Sequence, residues 1–180
     1  MMKKILMCVF SGTGNTRKIA NLFSDEFIKN GVETTIVDIK KGARVACVDD
    51  FDAVGVCYPI HGFNAPYNVL EFAHDMPKTH DKPLFVLKSS GEPLALNNVS
   101  SYKLVSILKK KGYDYFAEYH YVMPYNMIFR HDDAAVYKMW HTAKNLAPVE
   151  AREILSLTPH KLKKIPFGHL IAFLFRIEHP

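Results

Sequence analysis

Apolar residues along this 180-residue chain fall into short continuous runs separated by segments of helical spacing. Ile5-Leu6-Met7-Cys8-Val9-Phe10 is an apolar run of strand length. Such runs occur where a strand is covered on both faces. Helix-compatible sequence follows through Lys18-Ile19-Ala20-Asn21-Leu22-Phe23, and Asn30-Gly31 suits its stop. Residues 32–39 read as a second strand, β-branched and partly alternating. Lys40-Lys41-Gly42 is a turn. Residues 51–58, 83–88 and 113–123 predict three more strands, the last rich in aromatic and β-branched residues. Helical spacing covers 67 to about 76 and about 98 to 111, the latter with Val99, Tyr102, Val105, Ile107 and Leu108 apolar. Asn97 and Asn98 suit helix caps. A further helix is expected over 133–155, with an interruption near Pro148, which lacks an N–H to donate. Strands alternating with helices in this way imply a parallel sheet with helices on both faces. Ligands of such sheets sit at the carboxyl ends of the strands.

The loops at those ends carry the candidate chemistry. The first strand runs into Ser11-Gly12-Thr13-Gly14-Asn15-Thr16-Arg17. A glycine turn between strand and helix offers a phosphate both backbone N–H groups and the positive end of a helix dipole. Ser11, Thr13 and Thr16 add hydroxyls and Asn15 an amide, all able to donate to phosphate oxygens. The Gly-Lys-Ser/Thr ending of a nucleoside-triphosphatase loop is missing, and Arg17 stands where the third glycine of a dinucleotide fingerprint would be. A neutral cradle for one terminal phosphate remains.

Ser11-Gly12-Thr13-Gly14-Asn15-Thr16 resembles the phosphate loop of the flavodoxin family, which binds flavin mononucleotide (FMN) through a Ser/Thr-x-Thr-Gly-Asn-Thr pattern. Tyr58-Pro59-Ile60-His61-Gly62-Phe63-Asn64-Ala65-Pro66 and Ser89-Ser90-Gly91-Glu92-Pro93 resemble more narrowly the flavodoxin half of clostridial-type ferredoxin–flavodoxin fusions. The likeness runs to about residue 150, and the cysteine-rich ferredoxin module is missing from this sequence. The resemblance implies a flavodoxin-like three-layer α/β sandwich whose five-stranded parallel sheet has the order 2-1-3-4-5. It also implies an FMN site built from the loops after strands 1, 3 and 4. Tyr58, His61 and Phe63 are candidates to stack on or edge the flavin ring. Gly62 either shapes a turn or supplies a peptide that flips toward flavin N5, a motion glycine makes cheap. Ser89, Ser90 and Gly91 can serve the pyrimidine edge. Glu92 either makes a turn contact or, as a nearby carboxylate, lowers the flavin's reduction potential. In Met123-Pro124-Tyr125-Asn126-Met127-Ile128-Phe129-Arg130-His131, Tyr125 either lies over the flavin or fills a core gap.

Composition narrows the function classes. A 48% hydrophobic and 23% charged content is that of a soluble globular protein, and the length suits one domain. Net charge is +5, concentrated in Lys109-Lys110-Lys111 and Lys161-Leu162-Lys163-Lys164. A basic surface can steer an acidic redox partner toward the protein. No nucleic-acid motif accompanies it. The three cysteines are scattered, which with no signal peptide points to a reducing, cytoplasmic setting. The nine histidines form no metal-ligand motif, and no nucleophile elbow for hydrolase chemistry is present. Domain limits are expected at 1–158 for the FMN-binding domain and 159–180 for a tail. The apolar stretch 165–175 is too short to span a bilayer, which takes about 20 residues. It either packs on the domain or docks a partner. The first reading of function is an electron carrier exchanging electrons with a ferredoxin or other iron–sulfur protein. The alternatives are an NAD(P)H-dependent flavin, quinone or iron reductase, and a non-redox interaction module.

Overall fold

The computed structural model describes residues 2–125 and 130–175. Strands β1 (Lys4–Val9), β2 (Glu33–Asp38), β3 (Ala53–Pro59), β4 (Lys82–Ser90) and β5 (Tyr113–Val122) form one sheet. All its pairings are parallel and the order is β2-β1-β3-β4-β5. Helices α1 (Asn15–Lys29), α2 (Tyr67–Asp75), α3 (Tyr102–Lys109) and α4 (Asp133–Leu155) cover it, and a short α5 (Gly168–Leu174) follows. This is the flavodoxin-like α/β fold with the strand order expected.

The continuous apolar character of the strands follows from burial on both faces. Along β1, Ile5, Met7 and Val9 point into a core completed by Phe23 and Phe27 of α1 and by Ala143, Ala147, Ala151 and Ile154 of α4. Leu6 and Cys8 point the other way, against Val69, Leu70 and Ala73 of α2 and Leu104 and Leu108 of α3. The sheet packs tightly. A Cβ at Gly55 would lie 2.4 Å from the Phe85 ring, so only glycine fits there beneath it.

Two helix boundaries differ from expectation. The stretch from Ala95 to Ser101 is a 3-10 helix, and the α-helix begins only at Tyr102. Asn97 and Asn98 do not cap it: Asn97 bonds inward to the Ser89–Pro93 loop, and Asn98 Nδ2 donates to the Lys163 carbonyl. Helix α4 runs through Pro148 without a break. Its alanine-rich face, with Ala143, Ala147 and Ala151 buried, packs closely enough to hold the helix across the missing backbone bond.

The segment after α4 returns along the far edge of the sheet. The Glu118 N–H donates to the His160 carbonyl at 2.7 Å, and the His160 N–H donates to the Phe116 carbonyl at 3.0 Å. Beyond it, the Ile165 N–H donates to Tyr102 Oη at 2.9 Å, and α5 seats on the 3-10 segment. A Cβ at Gly168 would lie 2.6 Å from the Tyr102 ring, which shows how close that contact is.

Candidate functional site

The loop after β1 begins where the Phe10 N–H donates to the Cys57 carbonyl. It ends at Gly14, the N-cap of α1, with φ at 91°, a left-handed conformation that glycine adopts without strain. No side chain at the N-cap closes the helix end, and no acidic residue occupies its first turn. Ser11 Oγ accepts from the Arg17 N–H at 3.2 Å, which leaves its own proton to donate. Gly12 and Thr13 are exposed and Ser11 and Gly14 half-buried. The Arg17 guanidinium pairs with the Asp38 carboxylate beside this turn. An anion here meets a helix dipole and hydroxyl donors with no carboxylate of the helix's own first turn opposing it.

Two of the expected phosphate donors do other work. Thr16 is 2% exposed, and its hydroxyl lies 2.8 Å from that of buried Ser89. Asn15 Nδ2 donates to the Pro124 carbonyl at 2.7 Å. These side chains brace the first loop against the loops after β4 and β5. The donors left facing outward are Ser11, Thr13 and the backbone.

After β3, the Ile60 N–H donates to the Ser89 carbonyl at 2.8 Å, which joins the second loop to the third. His61 and Asn64 exchange both backbone bonds, at 3.0 and 2.8 Å. Gly62 and Phe63 lie between them, with φ of 50° and 58°. Two positive φ values mark a type I′ turn. Pro59, Ile60, His61, Gly62 and Phe63 are half-buried, and the His61 ring stands edge-on to Phe10 at 6.3 Å. Tyr58 is a correction. Its ring is 0% exposed inside the α2/α3-side core, so it has no face to offer a ligand and only its backbone belongs to the rim. The reason is register: Tyr58 still lies within β3, opposite Lys88 of β4.

The third loop also differs from expectation. Ser90 Oγ lies 2.7 Å from His120 Nε2 and donates to the Glu92 carbonyl at 2.7 Å, while Asn97 Nδ2 donates to it at 3.1 Å. One hydroxyl has one proton, so with Glu92 accepting it, His120 Nε2 is the protonated nitrogen. Burial, helped by the charge of Lys88, pulls His120 down to about 4 and keeps it neutral near pH 7. The Ser90 hydroxyl is therefore consumed by the network around the loop and the buried Ser89 hydroxyl by Thr16, and the loop's backbone remains for a ligand. Glu92 is exposed. Gly91 lies under half-buried Tyr125: a Cβ there would be 2.4 Å from the Tyr125 ring. Asn126, Met127, Ile128 and Phe129 lie outside the described residues.

Beneath this loop is an ion pair that sequence reading misses. Lys88, 1% exposed, pairs with Glu118, 2% exposed, and donates to the Asn97 carbonyl at 2.8 Å. Ser101 and Tyr115 hydroxyls donate to the other carboxylate oxygen of Glu118. Desolvation lowers the Lys88 pKa, and Glu118 opposes that shift. Two of the three cysteines are buried, and burial holds both thiols protonated: it raises Cys8 to about 12 and raises Cys57 as well. Among the described residues no cluster of His, Cys, Asp or Glu could hold a metal ion, and no helix is long and apolar enough to cross a membrane.

The sequence matches no protein-family model. No curated protein matches it. Solved structures do resemble the fold. The two-electron reduced flavodoxin of Megasphaera elsdenii is 18% identical, with a TM-score of 0.59, over 82% of this chain and 98% of its own. General stress protein 14 of Treponema denticola, solved in complex with FMN, is 13% identical, with a TM-score of 0.58, over 84% of this chain and 99% of its own. The Fusobacterium nucleatum flavodoxin bound to FMN is 14% identical, with a TM-score of 0.53, over 87% and 96%. At these identities the likeness is one of fold, and that fold is the flavodoxin's.

Proposed function

We propose that this chain is an FMN-binding electron-transfer protein of the flavodoxin kind, which exchanges electrons with a ferredoxin or other iron–sulfur protein in the cytoplasm. The observation that carries the reading is the first loop. An open helix N-terminus, Gly14 in the left-handed region and the outward donors Ser11 and Thr13 stand at the sheet's switch point, between β1 and β3. Ser11, Gly12, Thr13 and the first-turn N–H groups of α1 would hold the phosphate. The backbone of 59–63 and 89–91 would edge the ring, with His61 and Tyr125 as its aromatic neighbours. FMN, once bound, supplies reversible one- and two-electron chemistry. The protein's part is to bind it, orient it and tune its potential.

The docking face for the iron–sulfur partner would be α5 and the residues before it. Phe167, Leu170 and Leu174 are exposed, with exposed Lys161, Lys163 and Lys164 close by in the chain. Phe175 packs on Phe63 of the second loop, so this face adjoins the proposed flavin site. An acidic partner complements it in charge.

The test is a visible absorption spectrum of the purified protein, with FMN and riboflavin titrated into the stripped form. FMN bound much more tightly than riboflavin supports the reading, and no flavin binding overturns it. Bleaching by NADH under anaerobic conditions would move the protein to the reductase class.

A further inference from the structure

Two lysines from distant parts of the chain meet at one aromatic ring. Lys109, at the end of α3, places its Nζ 6.0 Å from the centre of the Tyr115 ring, and Lys161 of the tail places its own at 5.5 Å. An aromatic face attracts a cation, which accounts for each contact but neutralises neither charge. In the sequence the lysines form two separate runs, 109–111 and 161–164. The fold makes the runs neighbours, because the tail returns along β5 through the backbone bonds of His160.

The members of the runs do different work. Lys111 serves the fold: its Nζ donates to the Met76 carbonyl at 2.6 Å. Lys109, Lys110, Lys161, Lys163 and Lys164 are exposed, and among the described residues none of them pairs with a carboxylate. Even Asp114, the exposed acid next to Tyr115 in the chain, pairs with none of them. The tail cannot simply carry its lysines apart. Asn98 Nδ2 donates to the Lys163 carbonyl at 3.1 Å, and the Ile165 N–H donates to Tyr102 Oη at 2.9 Å. Ammonium groups gathered without counter-charges repel one another, and an anionic surface relieves that repulsion.

The charges also have a direction. Tyr115 stands seven residues before Val122, where β5 reaches the carboxyl end of the sheet. That is about 23 Å of strand. From His160, level with Ala117, the tail passes Asn98 and reaches α5, whose Phe175 packs on Phe63 of the second loop. Positive charge therefore leads from the β5 edge to the apolar face beside the proposed flavin site.

We propose that the two lysine runs form one basic stripe that captures an acidic iron–sulfur partner and guides it to α5, with Lys109 and Lys110 acting on association alone. The partner's class rests on the electron-carrier reading above. Charges outside the final contact change the rate of encounter and its salt dependence rather than the lifetime of the complex. At 0.1 M salt their field is screened over about 10 Å, so at this distance they leave the flavin site unchanged.

The experiment uses the FMN-loaded full chain and, as probe, a purified acidic [4Fe–4S] ferredoxin. Association and dissociation rates are measured from 10 mM to 0.5 M salt for the wild type and for Lys109→Glu combined with Lys110→Glu. The variant should associate about tenfold or more slowly at the lowest salt, dissociate at the wild-type rate, and converge on the wild type as salt rises. Its FMN affinity and midpoint potential at 0.1 M salt should not move. The Lys109→Gln, Lys110→Gln pair should fall between the two. Association unchanged at low salt, or slowed equally at every salt concentration, overturns the stripe. A wild type that ignores the ferredoxin but binds phosphatidylglycerol vesicles or duplex DNA overturns the partner. Failure of the wild type to bind FMN instead overturns the functional reading.

Discussion

The hydroxyls of Thr16 and Ser89 lie 2.8 Å apart, buried, and join the first turn of α1 to the end of β4. Thr13, three residues earlier in the chain, is exposed. Two threonines of one short motif therefore have different roles. Thr13→Ala should weaken FMN binding several-fold while leaving riboflavin binding and stability nearly unchanged. Thr16→Ala should strand the Ser89 hydroxyl and destabilise the protein by about 1–3 kcal/mol. Urea unfolding beside paired FMN and riboflavin titrations separates the two. Equal loss of both ligands in Thr13→Ala would remove the phosphate from this loop.

Lys88→Met should be among the most destabilising changes in the chain. It leaves Glu118 buried without its cation, for which a loss of about 3–5 kcal/mol is expected. Lys88→Met combined with Glu118→Leu should recover part of that loss, because the pair's desolvation cost disappears with it. Chemical denaturation of the single and double variants measures this coupling. A double variant as unstable as the sum of the singles would mean the two charges do not interact.

Stability should fall in mild acid through His120. Its folded pKa, about 4, lies below the ordinary value of 6.5 because burial and Lys88 disfavour the cation. The unfolded chain then takes up a proton that the folded chain refuses between those values. The contribution is complete above about pH 6.5 and is lost as pH falls through 4, by about 3 kcal/mol in all. His120→Gln should flatten the pH dependence of unfolding across this window. An unchanged profile would mean that another group governs it.

β1, β3 and β4 were legible because they are buried on both faces, which writes a continuous apolar run into the sequence, whereas β2, which has no buried residue, was legible from its β-branched, partly alternating pattern. The Ser11–Thr16 motif was legible because its geometry is local. The direction in which Thr16 points was not, since Ser89 decides it from another strand. Lys88 ends an apolar run and looks like a strand's solvated tip. Only the β4–β5 register, which sets the strand carrying Glu118 beside it, reveals an ion pair. Tyr58 misleads for the opposite reason: an aromatic beside a site motif reads as a ligand contact, but alternation along β3 turns it into the core. The tail inverts the usual rule. Gly168 and Ala172 are buried while Phe167, Leu170 and Leu174 are exposed, because close approach to Tyr102 and to Asn64 demands small residues. Pro148 shows that a local breaker yields when the rest of a helix is well packed.

Partner docking should depend on salt and on the exposed side of α5. The tail is too closely joined to the domain for deletion to be a clean test. His160 pairs with β5, Ile165 bonds to Tyr102, and the Ala172 carbonyl accepts from Asn64, so truncation would disturb the second loop itself. Substitution at the surface avoids this. Phe167, 82% exposed, and Leu174, 69% exposed, can both become serine without leaving a cavity. Transfer to an acidic ferredoxin should slow as ionic strength rises, since screening acts over about 10 Å at 0.1 M salt. Replacing Lys161, Lys163 and Lys164 with glutamine should reduce that slope. Phe167→Ser with Leu174→Ser should instead slow transfer at every salt concentration and leave the slope unchanged, because apolar contact is not screened. Stopped-flow rates for the three proteins across a salt series, with FMN content confirmed in each, measure both effects. Rates indifferent to salt would exclude the lysines from docking, and a serine variant as fast as the wild type would exclude α5.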